Sequence, residues 1–257
     1  MLFFWKTTMK NPFKLLNKFD IALWSASVII IVLAFTVSPN RDYLTLVSSV
    51  TGVSALIFIV KGSVVGQILT VIFSVFYGVV SYFFAYYGEM ITYLGMSAPA
   101  AVFAIISWIR HPYKDSAQVA IGKLNKTKIA VAFILTAAVT TAFYFILRAL
   151  GTANLITSTV SVATSVLAAS FTFLRSPLYG IAYAANDIVL IALWTLATIK
   201  DIAYIPMILC FALFLIYDIY GFFSWKKRRS QQSGSADDRH DPTDTDVQAP
   251  LPDNDFQ

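Results

Sequence analysis

The sequence predicts an all-α membrane protein with eight transmembrane helices. Eight apolar stretches of about 17 to 22 residues follow one another along the chain, and about 20 apolar residues are enough to cross the hydrocarbon core. Hydrophobic residues make up 58% of the chain and charged residues only 13%, whereas soluble domains carry about 25% charged residues. Lys and Arg lie almost entirely in every second gap between the stretches, which is typical of a chain that crosses the membrane repeatedly.

The predicted elements follow in chain order. Residues 1–19 read as an interfacial amphipathic segment, because aromatic and aliphatic side chains are interleaved with four lysines. From Ser230 onward the chain is polar and acidic, which predicts a disordered cytoplasmic tail over 230–257. The predicted spans between these segments are 21–37, 43–60, 64–85, 90–109, 129–147, 154–174, 177–198 and 204–224.

The distribution of basic residues predicts the orientation. Sixteen of the 19 Lys and Arg residues lie before the first span, in the second, fourth and sixth gaps, or after the last span. The exceptions are Arg41, Arg148 and Lys200. We therefore expect both termini in the cytoplasm of a bacterial cell, with the protein in its inner or plasma membrane. The basic residues border the membrane rather than forming one groove-reading face, which favours lipid headgroups over nucleic acid as partners.

Two groups of three spans carry the same residue types at matching positions, which predicts a parallel repeat. A basic residue follows the first helix, an acidic residue precedes the third, and a Trp lies at the basic exit. These pairs are Lys61 and Arg175, Glu89 and Asp201, and Trp108 and Trp225. The predicted division is an extra helix and loop over 20–42, a three-helix bundle over 43–110, a cytoplasmic loop and linker helix over 111–153, and a second three-helix bundle over 154–229.

Catalytic signatures are missing from the sequence. It contains no Gly-rich phosphate loop, no G-x-S-x-G elbow and no H-E-x-x-H motif. The single Cys210 and the isolated His111 and His240 provide no metal-binding cluster. We therefore expect binding and passage of a small molecule, with no enzyme activity, metal or cofactor. A receptor that recruits a partner through the short tail is the less favoured alternative.

Polar residues inside the spans predict a substrate-binding site, because such groups have no water to bond to in lipid. Buried carboxylates at the bilayer centre cost at least about 2.5 kcal/mol, which places Asp187 inside the bundle. Helix packing is the alternative role for the small polar residues. The expected binding residues are Gln67 and Tyr77 in the third span and Tyr183, Asn186, Asp187 and Trp194 in the seventh.

The last span carries a second intramembrane carboxyl group. Asp218 lies between Tyr217 and Tyr220, about two turns from the expected cytoplasmic border. At that depth a carboxylate reaches water or a basic residue more easily than Asp187 does. We expect these three residues to have a structural or gating role.

Several motifs resemble one family. The stretch 183–194 (YAANDIVLIALW), with 217–225 (YDIYGFFSW), looks like PnuC-type vitamin transporters, and 87–90 (YGEM) and 106–110 (ISWIR) look like the matching parts of the first half. The likeness covers residues 45–228. It implies a SWEET-like fold of three, one and three helices, with 21–37 as an extra amino-terminal helix.

The resemblance also implies a function and partners. Family members import nicotinamide riboside by facilitated diffusion, and a cytosolic kinase that needs no contact with the transporter traps the product. Relatives carry thiamine, riboflavin or deoxynucleosides, which remain alternatives here. The resemblance further suggests a homotrimer.

One motif departs from the family. The family's substrate motif has two Trp three residues apart, then Asn or Asp four residues later. Those positions are Gly180, Tyr183 and Asp187 here, so we expect Gly180 to open space next to the helix for a differently shaped ligand. A register shifted by one residue would place Tyr179, Ala182 and Asn186 there instead.

Overall fold

The protein is described by a computed structural model that covers residues 11–37, 43–83, 86–114, 116–152, 154–199, 202 and 205–237. Within these residues, eight helices are long and apolar enough to cross a membrane, so the predicted all-α membrane fold is confirmed. They are α1 (Lys18–Val37), α2 (Tyr43–Val60), α3 (Val64–Phe83), α4 (Tyr87–Ile109), α5 (Lys126–Ala149), α6 (Leu155–Phe173), α7 (Leu178–Thr198) and α8 (Ile205–Asp237).

Local signals set the helix ends. Asn17 and Asp20 form a reciprocal capping pair at the start of α1, with each side chain accepting from the other's backbone N–H at 2.9 and 2.6 Å. Asn125 caps α5 by accepting from the N–H of Lys128 at 2.8 Å. These bonds satisfy amides that would otherwise lack partners at the first helical turn.

The two ends of the chain differ from the predicted division. α8 continues to Asp237, whereas the sequence analysis placed the start of a disordered tail at 230. Four basic residues follow Trp225 at once, and such long side chains can extend a helix beyond the membrane border. Near the amino terminus, Pro12–Leu15 forms a short 3₁₀ turn before α1. The rest of the predicted amphipathic segment and tail, 1–10 and 238–257, lies outside the described residues.

The helices form two units of three, α2 to α4 and α6 to α8. Within each unit the middle helix packs against its two neighbours, and between the units α8 packs on α2 while α4 packs on α6. The linker helix α5 packs mainly on α6, and α1 packs on α2 and α8. The third helix of each unit therefore contacts the first helix of the other.

The first helices of the two units end in the same way. After α2, Gly62 adopts a left-handed conformation (φ 68°), and after α6, Arg175 does so (φ 55°). In each turn the next serine closes the helix end, because the Ser63 and Ser176 amides each donate a 2.9 Å bond to a carbonyl five residues earlier. Such closures are Schellman turns. The matching turns support the repeat predicted from spacing.

The third helices provide a second match. Trp108 Nε1 donates to the Thr172 carbonyl at the end of α6, and Trp225 Nε1 donates to the Ile59 carbonyl at the end of α2, both at 3.0 Å. The preceding serines bond to the next carbonyl along, Ser107 to Phe173 at 2.8 Å and Ser224 to Val60 at 3.3 Å. Each unit is thus hydrogen-bonded to the other through an equivalent pair of Ser and Trp side chains.

A buried polar network attaches the extra helix α1. The Asp20 carboxylate is fully buried and forms an ion pair with Lys61 Nζ at 2.6 Å. The Tyr220 hydroxyl of α8 donates to the same carboxylate at 2.7 Å. One helix turn away along α8, the Tyr217 hydroxyl donates to Ser27 Oγ at 3.2 Å. These contacts join α1 to the turn after α2 and to α8.

Candidate functional site

A cavity of about 80 Å³ lies between the two units. Helices α2, α3, α4, α6, α7 and α8 all contribute to its wall. Its polar lining residues are Gln67, Thr70 and Ser74 of α3, Tyr93 and Ser97 of α4, Ser165 and Thr172 of α6, Tyr179, Tyr183, Asn186 and Asp187 of α7, and Asp218 of α8. The six helices therefore surround one polar chamber.

Four of the six predicted binding residues line this chamber: Gln67, Tyr183, Asn186 and Asp187. The other two, Tyr77 and Trp194, are fully buried among the aromatic side chains of the hydrophobic core. Their polar groups bond to each other across α3 and α7, because Trp194 Nε1 donates to the Tyr77 hydroxyl at 2.9 Å. These two residues pack beside the chamber and are not among the residues that line it.

Asn186 and Asp187 both reach the chamber, but their polar atoms are used differently. Asn186 Oδ1 lies 2.8 and 2.9 Å from the hydroxyl oxygens of Thr164 and Ser165 on α6. Its amide therefore helps to fasten α7 to α6. In contrast, Asp187 Oδ2 is buried and has no hydrogen-bond partner within the described part of the chain. Of the two neighbours, Asp187 has the atom that can accept a bond from a ligand.

Asp187 is accompanied by other unsatisfied polar atoms. The buried Gln67 Nε2, Ser74 Oγ and Tyr179 hydroxyl lack hydrogen-bond partners among the described residues, and all three residues line the chamber. Buried polar groups without partners are rare because each carries a desolvation penalty. A cluster of donors and acceptors around one cavity makes it the candidate place for a polar ligand or ordered water.

The predicted gating residues separate into two groups. Asp218 lines the chamber, as Asp187 does. Tyr217 and Tyr220 instead bond to α1, through Ser27 and Asp20. The structure thus places Asp218 in the candidate site and the two tyrosines in the attachment of the extra helix.

Gly180 does not open space, contrary to the expectation from its motif position. A Cβ atom on Gly180 would lie 2.5 Å from the Asp218 carbonyl oxygen and 2.8 Å from the Phe222 nitrogen. The glycine therefore allows the backbones of α7 and α8 to approach closely. This contact brings the backbone of α7 at Gly180 against the backbone of α8 at Asp218.

Sequence reasoning missed part of the wall. Tyr93 and Ser97 bound a π-helical turn in α4, and both line the chamber. Such turns commonly occur at functional sites, but they leave no clear periodic signal. The apolar wall from α8, Phe211 and Phe214, was missed because aromatic residues in an apolar span look the same whether they face lipid or a cavity.

The charge of the chamber is one-sided. Among the described residues, the lining includes two carboxyl groups and no Lys, Arg or His. The nearby basic groups of α8 and the turn after α2 have other partners, since Arg228 donates to the Lys61 and Val60 carbonyls and Lys61 pairs with Asp20. The site is therefore suited to a neutral or cationic molecule with a flat ring and several hydrogen-bonding groups.

Six of the eight membrane-spanning helices surround a central polar chamber, an arrangement typical of membrane transporters. A family model described as nicotinamide mononucleotide transporter matches residues 42–227, which is more than half of the chain. The protein therefore belongs to the nicotinamide mononucleotide transporter family, and the PnuC-type resemblance seen in the sequence is confirmed. It is a multi-pass membrane protein, and an enzymatic role does not fit the family.

The chain is also similar to one curated protein and to one solved structure. The chain is 27% identical over 212 residues to the nicotinamide riboside transporter PnuC of Neisseria mucosa, covering 78% of each chain. Its fold is similar to a crystal structure of the vitamin B3 transporter PnuC, with a TM-score of 0.74 and 23% identity over 90% of this chain and 99% of that one. The structural likeness supports the fold.

Proposed function

We propose that this protein imports nicotinamide riboside across the bacterial cell membrane. The observation that carries the proposal is the chamber between the two units, in which Asp187 Oδ2 and Gln67 Nε2 lack partners. The riboside supplies a flat ring, an amide and sugar hydroxyls that match these groups. A relative named as a nicotinamide riboside transporter adds support.

The chemistry of the chamber favours the riboside over the mononucleotide in the family's name. A 5′-phosphate carries about 1.5 to 2 negative charges at neutral pH. It would face Asp187 and Asp218 with no basic side chain among the described lining residues. Buried like charges repel strongly because the interior has a low dielectric constant. The nicotinamide ring of the riboside carries a positive charge, which the carboxyl groups attract.

Transport proceeds by alternating access in this proposal. A cavity of about 80 Å³ is far smaller than the pockets of roughly 300 Å³ or more that hold drug-sized ligands. The ligand therefore needs a state in which the units have moved apart. The Ser-Trp contacts of Trp108 and Trp225 tie the units together at the ends of α2 and α6, so rocking of the units would break them on one side.

Net import follows from trapping rather than from an ion gradient. The carrier equilibrates the riboside across the membrane by facilitated diffusion, and a cytosolic kinase phosphorylates it without needing to contact the carrier. The phosphorylated product is excluded from the acidic chamber. Both termini lie in the cytoplasm in this arrangement, as the basic residues at the span borders predict.

Thiamine is the second candidate substrate. It is also a cationic heteroaromatic molecule, and Tyr183 occupies the position of the second Trp in the family's motif. The phenol adds a hydroxyl to the aromatic face. This hydroxyl can form a hydrogen bond with a polar ring substituent. We therefore include thiamine beside nicotinamide riboside as a substrate to be tested.

Uptake by proteoliposomes tests the proposal. Purified protein is reconstituted, and entry of labelled nicotinamide riboside, nicotinamide mononucleotide and thiamine is measured with protein-free liposomes as the control. With the same buffered pH inside and outside, we expect saturable entry of the riboside that ceases at equal concentrations and is insensitive to a protonophore. Preference for thiamine would reassign the substrate, and entry of the mononucleotide at the same rate would contradict the charge argument.

A further inference from the structure

The two carboxyl groups of the chamber form a pair across the α7 and α8 interface. Asp187 and Asp218 each have about 3% of their surface exposed, and both line the same chamber of about 80 Å³. Two ionised carboxylates that share a buried site repel each other strongly. This repulsion favours a proton on one of the two groups.

The geometry leaves the pair without another source of positive charge. In the described part of the chain, the ion pair is Lys61 with Asp20, and neither chamber carboxyl group takes part in it. The titratable groups that interact with the pair are the phenols of Tyr93, Tyr179 and Tyr183 and the thiol of Cys210. These groups are neutral when protonated and supply no counter-charge.

The pair is also part of the ligand site. Both residues line the chamber, and Asp187 Oδ2 remains without a hydrogen-bond partner among the described residues. Helices α7 and α8 also pack closely near the pair, because a Cβ on Gly180 would lie 2.5 Å from the Asp218 carbonyl oxygen. The two carboxyl groups therefore face one chamber from neighbouring, closely packed helices.

We propose that the Asp187–Asp218 pair holds one proton in the empty site and that the positive charge of a heteroaromatic cation displaces it. The proton leaves the carboxyl group for solvent, and the O–H bond breaks without any change of oxidation state. The site carries one net negative charge before binding, from one carboxylate. Afterwards it carries the same net charge, from two carboxylates and the cation.

The proposal rests on the proposed function, since it takes nicotinamide riboside as the cation. It adds that Asp218 selects for cations and that binding depends on pH. Displacement of one proton per ligand makes the apparent affinity fall about tenfold for each unit that the pH is lowered, while the pair remains singly protonated. Because the empty carrier returns with the proton, each turnover exchanges one riboside for one proton. When the pH is the same on both sides of the membrane, consumption of the product in the cytosol still sets the direction of import.

Calorimetric titration of the purified full-length protein tests this exchange. Nicotinamide riboside is titrated in buffers with different ionisation enthalpies, such as phosphate and Tris, at several pH values. We expect release of about one proton per bound riboside. The neutral 1,4-dihydro form of the riboside should bind without proton release and with little pH dependence.

Two variants locate the proton. Asp218→Asn should abolish proton release while Glu89→Gln, which changes a buried carboxyl group outside the chamber lining, should retain it. Binding of the riboside without proton release in the wild-type protein would overturn the proposal and leave the proposed function intact. If the riboside does not bind, the proposed function fails. The same titration with thiamine then tests the proton exchange. The exchange is overturned if neither cation releases a proton.

Discussion

The indole Nε1 of Trp194 donates a 2.9 Å hydrogen bond to the hydroxyl of Tyr77. The bond joins the middle helices of the two units, α3 and α7. Both rings are buried in the aromatic core rather than in the chamber wall. The pair therefore links the two units beside the chamber.

Tyr77→Phe tests this role. The substitution keeps the ring and removes the acceptor of the Trp194 bond, so we expect a loss of about 1 kcal/mol in the free energy of unfolding. Riboside affinity should stay within about twofold, because the hydroxyl does not line the chamber. Thermal unfolding in detergent and a binding isotherm check the two effects. A large loss of affinity with unchanged stability would instead place Tyr77 in ligand contact.

Gly180→Ala should weaken the contact between α7 and α8. The added methyl group would collide with the Asp218 carbonyl and the Phe222 amide, and overpacking of this kind costs about 1–3 kcal/mol. Gly95→Ala is the matched control, since its nearest atom, in the Ile91 side chain, is 3.9 Å away. The melting temperatures of the two variants should differ clearly. Equal melting temperatures would show that the close approach is not required.

Asp20→Asn should strongly destabilise the attachment of α1. The change leaves the buried Lys61 ammonium without its counter-charge, and breaking one side of a buried ion pair costs about 3–5 kcal/mol. The double variant with Lys61→Met should recover much of this loss, because no buried charge is then left unpaired. Thermal unfolding of both single variants and the double variant measures the coupling. Additive losses would argue against a direct interaction.

Trp108→Phe and Trp225→Phe should have similar effects. Each removes one 3.0 Å bond between the units and keeps an aromatic ring, so we expect each to cost about 1–2 kcal/mol. The similarity follows from their equivalent places in the two units. Parallel unfolding measurements check it, and a severe loss for one Trp with no loss for the other would contradict the equivalence.

Much of the fold could be predicted from sequence because apolar length alone defines a membrane span. The period of the helix also placed Gln67, Tyr183 and Asp187 on faces that line the chamber. Periodicity gives the face of a helix but not the depth of the cavity along it. For this reason Trp194, on the same face of α7 as Asp187, was expected in the site but lies in the core.

Other features depend on contacts between distant segments. From its motif position, Gly180 was expected to leave space for a ligand, but the backbone of α8 fills the space beside it. The role of Tyr220 could not be seen either, because its partner Asp20 is 200 residues away in the chain. Local patterns do not specify which helix packs against which.

The most direct test of the central claim is uptake of labelled nicotinamide riboside by proteoliposomes containing Asp187→Ala. Ile188→Ala is the matched control, because this neighbouring side chain is exposed on the outside of the same helix. Gel filtration establishes that both variants are folded. The account predicts that Asp187→Ala lowers initial uptake at least about tenfold, as loss of a buried charged partner worth 1.4 kcal/mol or more would do, and that Ile188→Ala preserves uptake. Unchanged uptake by folded Asp187→Ala protein would contradict the assignment of the chamber as the substrate site.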